Sequence, residues 1–351
     1  MKQLYISKSK YCGAVQCPKM LWMHKNMKNM FDDSVMNLAV LEQGNEVGDI
    51  AMGLFGDFIE IAHGDLQQMM DDTSDLLKKE TPIIAEASFS YNGLFCSVDI
   101  LKANNNSYEL YEVKSSTAIK EIYYHDLAFQ YYVLTKLGFK VSKVYIVYIN
   151  NNYIRHGELE LSNLFTIEDV TQPAVEMFDD VGEYISMLSK YMEQKEEPFM
   201  DISETCFNPY TCGYWVYCSR HIPSPSIFDI AKLRTKIKFD CYRHGIIEYK
   251  DILKSVSLDE KQEHQVRAYL YNTPPIVNKK GIKDFIDTLT YPLYFLDFET
   301  FQQAIPRFDD MSPYMQIPFQ YSLHSIYEEG DALEHKEFLA CLLYTSPSPR
   351  D

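Results

Sequence analysis

The segment Leu94 to Ser116, LFCSVDILKANNNSYELYEVKSS, constrains the fold more than any other part of the chain. Two runs rich in β-branched and aromatic residues flank Asn104-Asn105-Asn106, and asparagine tolerates the positive φ that a tight hairpin turn demands. With Asn105 and Asn106 at the turn centre, Asp99 stands directly across from Glu112, and opposed side chains share one face of the sheet. Lys114 follows Glu112 by two residues and points to that same face, because strand period is two. Two adjacent ionised carboxylates repel, and a bound cation relieves the conflict. Oxygen ligands of this kind suit Mg²⁺ or Mn²⁺. Such an ion polarises a phosphodiester and acidifies a bound water, while Lys114 orients that water or offsets developing negative charge. An isolated E-x-K is common on surface hairpins, so the flanking segments decide its weight.

Composition bounds the classes. The 351 residues exceed one typical domain, and 46% hydrophobic with 24% charged residues is globular usage. No apolar run approaches the roughly 18 residues of a membrane span, the longest β-like run being Val144 to Ile149. The start, MKQLYISKSK, has no apolar core of a secretory signal, so a cytoplasmic protein with no membrane association is expected. There the eight cysteines read as metal ligands or core residues rather than disulfides. The net charge of −17 argues against a protein that coats nucleic acid non-specifically. A local basic groove is compatible with it, lined by Lys8, Lys10, Lys19, Lys114 and Lys120.

Downstream of the hairpin, Thr117 to Leu137 has helical period, with Tyr124, Leu127, Ala128, Tyr131 and Leu134 in one stripe and Gln130 beside it. Upstream, Leu41 to Leu54 shows a second helix face and carries Glu42 and Glu46 one turn apart. This helix–hairpin–helix order resembles the RecB-like branch of the PD-(D/E)XK nucleases, a restriction-endonuclease-like α/β fold. The resemblance implies catalytic and metal-binding roles for Glu46 (or Glu42), Asp99, Glu112 and Lys114, with Gln130 positioning the phosphate or the lysine. In the family that glutamine opens Q-x-x-x-Y. Here position 134 is Leu134, with Tyr131 and Tyr132 nearby. Glu86 stands as an accessory carboxylate or a solvated strand end.

Cys206, Cys212 and Cys218 form a C-x₅-C-x₅-C run, and Cys12 and Cys17 stand near the N-terminus. Three spaced thiols plus a distant one suit an iron–sulfur cluster first and zinc second, since the C-x₂-C knuckle is missing. The pattern resembles RecB-like nucleases with a [4Fe–4S] cluster, including those of CRISPR adaptation. It implies Cys17, in the C-P-K context, with Cys206, Cys212 and Cys218 as ligands, Cys12 being the rival for Cys17. The family's first interval is more often C-x₂-C. A cluster joining residue 17 to residue 206 closes a very long loop and would act as a structural clasp. Cys96 and Cys241 read as core residues, and Tyr210, Tyr214, Trp215 and Tyr217 as packing around the cluster.

A second motif, Leu293 to Thr300 (LYFLDFET), is an apolar strand ending in D-x-E-T, with Asp297 and Glu299 on one face as half of a two-metal site. It resembles the first motif of DEDD exonucleases, which have an RNase H-like fold and need two later aspartates. Asp309, Asp310 and Asp331 do not supply them, so this unit is expected to be inactive alone. The whole layout resembles bacterial proteins of unknown function that join an iron–sulfur RecB-like nuclease to a DnaQ-like domain, through ISKSKYCGAVQCPKMLW, GNEVGDIA, EVKSST, DLAFQYYVL and LDFETFQQAIP. The expected organisation is a nuclease domain at 1–222, a helical connector at 223–290 and a DEDD-like fragment at 291–340. Residues 341–351 match a translated sequencing adapter. The expected activity is metal-dependent hydrolysis of DNA, as an exonuclease on single-stranded ends. The alternatives are a cluster-stabilised binding or assembly module with vestigial catalysis, or activity residing in the intact DEDD domain.

Overall fold

The Asn-rich hairpin forms in the expected register. Ile100 pairs with Tyr111, Leu101 with Leu110 and Asn104 with Ser107, and Asn105 takes the left-handed conformation at φ 50°. The structure is a computed structural model that describes residues 5–340. The terminal stretch expected to be adapter-derived lies outside the described residues. The chain is a mixed α/β protein that divides into two compact units.

The first unit comprises the chain up to Asn150 together with Leu159–Asn272. Its elements are β1 (Ile6–Ser7), α1 (Lys8–Gln16), α2 (Pro18–Asn26), α3 (Leu38–Ala51), β2 (Ile59–Glu60) and α4 (Leu66–Lys78). The hairpin region follows as β3 (Ile83–Tyr91), β4 (Leu94–Asn104) and β5 (Ser107–Lys114), then α5 (Glu121–Lys136) and β6 (Val141–Ile149). After these come α6 (Leu161–Leu164), β7 (Phe165–Asp169), α7 (Thr171–Glu176), α8 (Phe178–Tyr191) and α9 (Trp215–Cys218). The strands form one sheet in the order β2-β3-β4-β5-β6-β7, and β1 adds beside β4. Strands β3, β4 and β5 are antiparallel, whereas β5 and β6 run parallel. Parallel neighbours need a crossover, which α5 supplies.

Helix α5 is the central packing element. Leu127, Ala128, Phe129, Val133 and Leu134 are fully buried, and each large side chain contributes about 1.5–3 kcal/mol of burial. Tyr11 of α1 stacks on Phe129 with ring centroids 4.7 Å apart. This stacking fixes α1 over α5. Phe129→Ala would open that core at a cost of about 3–5 kcal/mol.

The unit also contains α10 (Thr235–Arg243), α11 (Tyr249–Ser255) and α12 (Glu260–Tyr271). These helices bury a small core of their own around Ile227, Ile230, Ile252 and Val266. Asp259 and Gln262 close a capping box at the start of α12. The boundary between the units falls after Asn272, inside the helical stretch 223–290.

The second unit comprises Asn151–Glu158 and the described chain from Thr273 onward. It holds α13 (Lys279–Ile286) and an antiparallel sheet of β8 (Leu293–Phe301), β9 (Ile317–Ile326) and β10 (Glu334–Leu339), in the order β10-β9-β8. Arg155 ties the short segment in by donating to the carbonyl oxygens of Pro306 and Arg307. Tyr294, Leu296, Phe298 and Phe338 of this sheet are exposed. Among the described residues, no helix is long and apolar enough to cross a membrane.

Candidate active site

Asp99 lies where β4 changes partner. Along one edge, β1 pairs with Leu94 and Phe95, and β5 pairs from Ile100 to Asn104. Between the two, the Asp99 carboxylate accepts the Val113 N–H at 2.7 Å. The other edge is also interrupted, since Ala85 pairs with Ile100 and Ala87 with Val98 while Glu86 between them takes φ 55°. Holding a non-glycine residue there costs about 1–2 kcal/mol, and such outliers concentrate at functional sites. Glu86 is thus mid-strand and half-buried, not at a solvated strand end. Burial, with Asp99 next, raises its pKa to about 7.

The sequence-predicted Asp99, Glu112, Lys114 and Gln130 converge. Lys114 donates to Glu112 Oε1 at 2.6 Å and to Asp126 Oδ2 at 2.7 Å. Gln130 donates through Nε2 to Glu112 Oε2 at 2.6 Å and to Asp126 Oδ1 at 3.0 Å. Lys8, the first residue of α1, donates to both Glu112 oxygens at 2.9 and 3.0 Å and to Asp99 Oδ1 at 3.4 Å. Two members were missed in the sequence. Asp126 stands one helical turn before Gln130 and so shares its face, a signal available in D-x-x-x-Q. For Lys8 the sequence supports only a place in a general basic groove, and nothing local marks its partners.

The charges are strongly coupled. Burial would push the Glu112 carboxyl up, but Lys114 and Lys8 hold it well below the usual range. Burial and then the Glu112 charge raise Asp99 to about 6 and also raise Asp126. Three carboxylates thus face two ammonium groups, a donor set with room for more positive charge. Among the described residues, the buried Gln130 Oε1 has no hydrogen-bond partner. Hard oxygen donors short of cationic charge fit Mg²⁺ or Mn²⁺.

Lys8, Asp99, Glu112, Lys114 and Asp126 line a cleft of about 690 Å³ with Cys12, Tyr123, Tyr210 and Thr211, while Gln130 is fully buried behind them. Helix α3 turns Leu41, Gly44 and Asn45 to the cleft, whereas Glu42 and Glu46 are not among the lining residues. The helix presents a different phase to the cleft from the one expected. Tyr131 and Tyr132 pack against Phe178 instead of entering it. The phenol beside Lys114 is Tyr123, whose ring centroid lies 5.1 Å from the ammonium. Of the expected groove lysines, Lys19 is buried and paired with Glu197 at 2.6 Å, away from the cleft. Lys10 and Lys120 are exposed.

Cys17, Cys206, Cys212 and Cys218 line one small cavity of about 20 Å³ together with Met20, Tyr214 and Trp215. Cys12 faces the carboxylate cleft instead. Tyr210 also lies on the cleft, under Lys120 at 4.9 Å. All four thiols are free, and burial raises their pKa values, that of Cys212 to about 11. They share a wall without closing on one point, for no group of three or more His, Cys, Asp or Glu among the described residues forms a ready metal cage. Four soft donors in an apolar pocket fit an iron–sulfur or zinc centre, whose binding would release thiol protons. The cysteine segment docks on α1 through Gln16, which donates to the carbonyls of Thr205 and Tyr210 at 2.6 and 2.7 Å. At Gly213 the backbone packs closely on Phe31, and a Cβ there would lie 2.5 Å from that ring and force it to move.

In the second unit, Asp297 and Glu299 are exposed on β8, opposite Ser322 and Gln320. Asp309 accepts from the Gly157 N–H at 2.7 Å, Asp310 pairs with His156 at 3.2 Å and Asp331 accepts from the Glu328 N–H at 2.9 Å. Asp309 and Asp310 thus hold the 151–158 segment of the same unit, and Asp331 closes a local turn.

A family model described as a domain of unknown function (DUF2779) matches residues 294–350, which lie at the end of the chain. No curated protein matches the chain. Among solved structures, one described as "Crystal structure of SSO0001" is similar at 14% identity with a TM-score of 0.29, over 57% of this chain and 81% of that chain.

Proposed function

We propose that the first unit is a metal-dependent nuclease of PD-(D/E)XK type that hydrolyses DNA, acting on single-stranded ends. The observation that carries this reading is the convergence of Asp99, Glu112 and Lys114, from two strands, on the wall of an open cleft, with the buried Gln130 of α5 bonding Glu112 from behind. The antiparallel β3-β4-β5 meander holds Asp99, Glu112 and Lys114, and the crossover helix α5 brings Gln130 against Glu112.

Asp99 and Glu112 would hold Mg²⁺ or Mn²⁺, which when bound supplies a Lewis acid and acidifies water at neutral pH. Lys114, braced by Asp126, keeps a fixed ammonium beside Glu112, where negative charge develops during phosphodiester hydrolysis. Gln130 fixes Glu112 from the core side. Cys17, Cys206, Cys212 and Cys218 would hold an iron–sulfur cluster that clasps the cysteine segment to the N-terminal helices. Asp297 and Glu299 of the second unit would be two acids of an RNase H-like domain.

Asp99→Ala and Lys114→Ala should each lower Mn²⁺-dependent cleavage of single-stranded DNA by a factor of at least about 10² to 10³. The cysteine-bound metal should be retained in both. Undiminished cleavage by pure Asp99→Ala protein would remove the site assignment.

A further inference from the structure

We propose that Lys8 is a resident counter-ion that holds the place of the divalent cation in the unloaded site and passes to a nucleic-acid phosphate when the metal enters. Metal and phosphodiester would then bind with positive coupling. The proposal rests on the nuclease reading above and concerns a residue that the reading does not use.

The geometry is specific to Lys8. Its ammonium sits between the two carboxylates, 2.9 and 3.0 Å from the Glu112 oxygens and 3.4 Å from Asp99 Oδ1. A divalent ion bound by Asp99 and Glu112 would need the same oxygens, and two cations cannot share them at that range. Lys114 is a poorer candidate for exchange, since Asp126 holds it from the other side at 2.7 Å. Among the described residues Lys8 has no second anchor of that kind, and its side chain is 20% exposed, so its four-carbon stem can swing into the cleft. Its backbone, by contrast, is fixed. It follows directly on β1, where the Ile6 N–H bonds the Gly93 carbonyl at 2.9 Å and Ser7 caps α1.

Displacement strips Lys8 of two anionic partners. Of the anions left nearby, Asp126 already serves Lys114 and Gln130. A phosphate oxygen entering the cleft is the remaining acceptor. Without nucleic acid, metal binding must then leave a cation unpaired. With nucleic acid present the cost is relieved, and linkage requires the metal to tighten nucleic-acid binding by the same factor.

The experiment measures Mn²⁺ affinity by electron paramagnetic resonance on the full chain, with and without a phosphorothioate single-stranded oligonucleotide that resists cleavage. Wild-type protein is compared with Lys8→Met and Asp99→Asn. Lys8→Met should bind Mn²⁺ on the order of tenfold more tightly without oligonucleotide, and most of the tightening caused by the oligonucleotide should vanish. Equal or weaker Mn²⁺ binding by Lys8→Met would overturn the proposal while leaving the nuclease reading intact. Mn²⁺ binding that survives unchanged in Asp99→Asn would overturn that reading, and the proposal with it. Because Lys8→Met could fail to fold, reductive methylation of wild-type lysines read by peptide mass spectrometry gives an independent test. Lys8 should become more reactive when Mn²⁺ is added without oligonucleotide, and unchanged reactivity would overturn the exchange.

Discussion

The chain carries two acid pairs on strands, and their surroundings could hardly differ more. Asp99 and Glu112 lie in a cleft of the first unit, with Glu112 only 2% exposed and three polar partners at hydrogen-bond distance. Asp297 and Glu299 of the second unit share one strand face by the same period-two logic but stand exposed. A pair of carboxylates on one face is therefore not yet a site. Burial, counter-charge and a helix that braces the pair from behind set the first pair apart, because desolvated charges interact far more strongly than solvated ones.

Perturbing the first region should matter far more than perturbing the second. The largest effect is expected at the cysteine clasp. Cys17→Ser should lose bound iron or zinc by elemental analysis and destabilise the first unit by on the order of 5 kcal/mol or more. Cys241→Ala, in the separate helical core, should keep the full metal complement and cost only about 1 kcal/mol. Brown protein supports the iron–sulfur assignment, and colourless protein with stoichiometric zinc would replace it with a zinc clasp.

Next comes the buried ion network. Lys114→Met leaves Asp126 and Glu112 short of a cation and should cost about 3 kcal/mol. Urea unfolding followed by tryptophan fluorescence reads the first unit selectively, since Trp22 and Trp215 both lie there. Glu299→Gln should change stability by less than about 0.5 kcal/mol in circular dichroism. An equal effect of the two substitutions would erase the contrast between the regions.

The smallest effect belongs to the surface pair Lys143–Asp169, at 2.6 Å on the sheet edge. Hydrogen bonds from Lys143 and Thr171 lower the Asp169 pKa to about 2. A carboxyl depressed on folding contributes stability that is fully present above its unfolded pKa, near about 3.9. That contribution fades as pH falls through about 2. Asp169→Asn should therefore flatten the acid limb slightly, by well under about 1 kcal/mol, because the pair is exposed and screened. A larger change in the pH dependence of unfolding would show that surface charges weigh more than this contrast allows.

Much of the site was legible because strand and helix periods are local rules. The turn at Asn105 fixed the 99–112 opposition, strand period placed Lys114, and helix period let Gln130 reach Glu112. Glu46 shows where such rules stop, since periodicity gives the spacing of a helix face but not which face meets the cleft. Lys8 depends on a two-residue strand pairing with Leu94 and Phe95, far along the chain, for which no local pattern exists. The left-handed turn at Glu86 is likewise invisible in A-E-A, because tertiary packing imposes it against local preference. In the cysteine cavity, spacing suggested the triplet and the C-P-K context suggested Cys17. That Cys12 faces the other cleft follows only from how α1 is rotated.

The most direct measurement compares Mn²⁺-dependent cleavage of single-stranded DNA by anaerobically purified wild-type, Asp99→Ala and Asp297→Ala protein. Asp99→Ala should lose activity by a factor of at least about 10² to 10³, and Asp297→Ala should stay within about twofold of wild type. Cleavage that survives Asp99→Ala and disappears in Asp297→Ala would contradict the account and move the active site to the second unit.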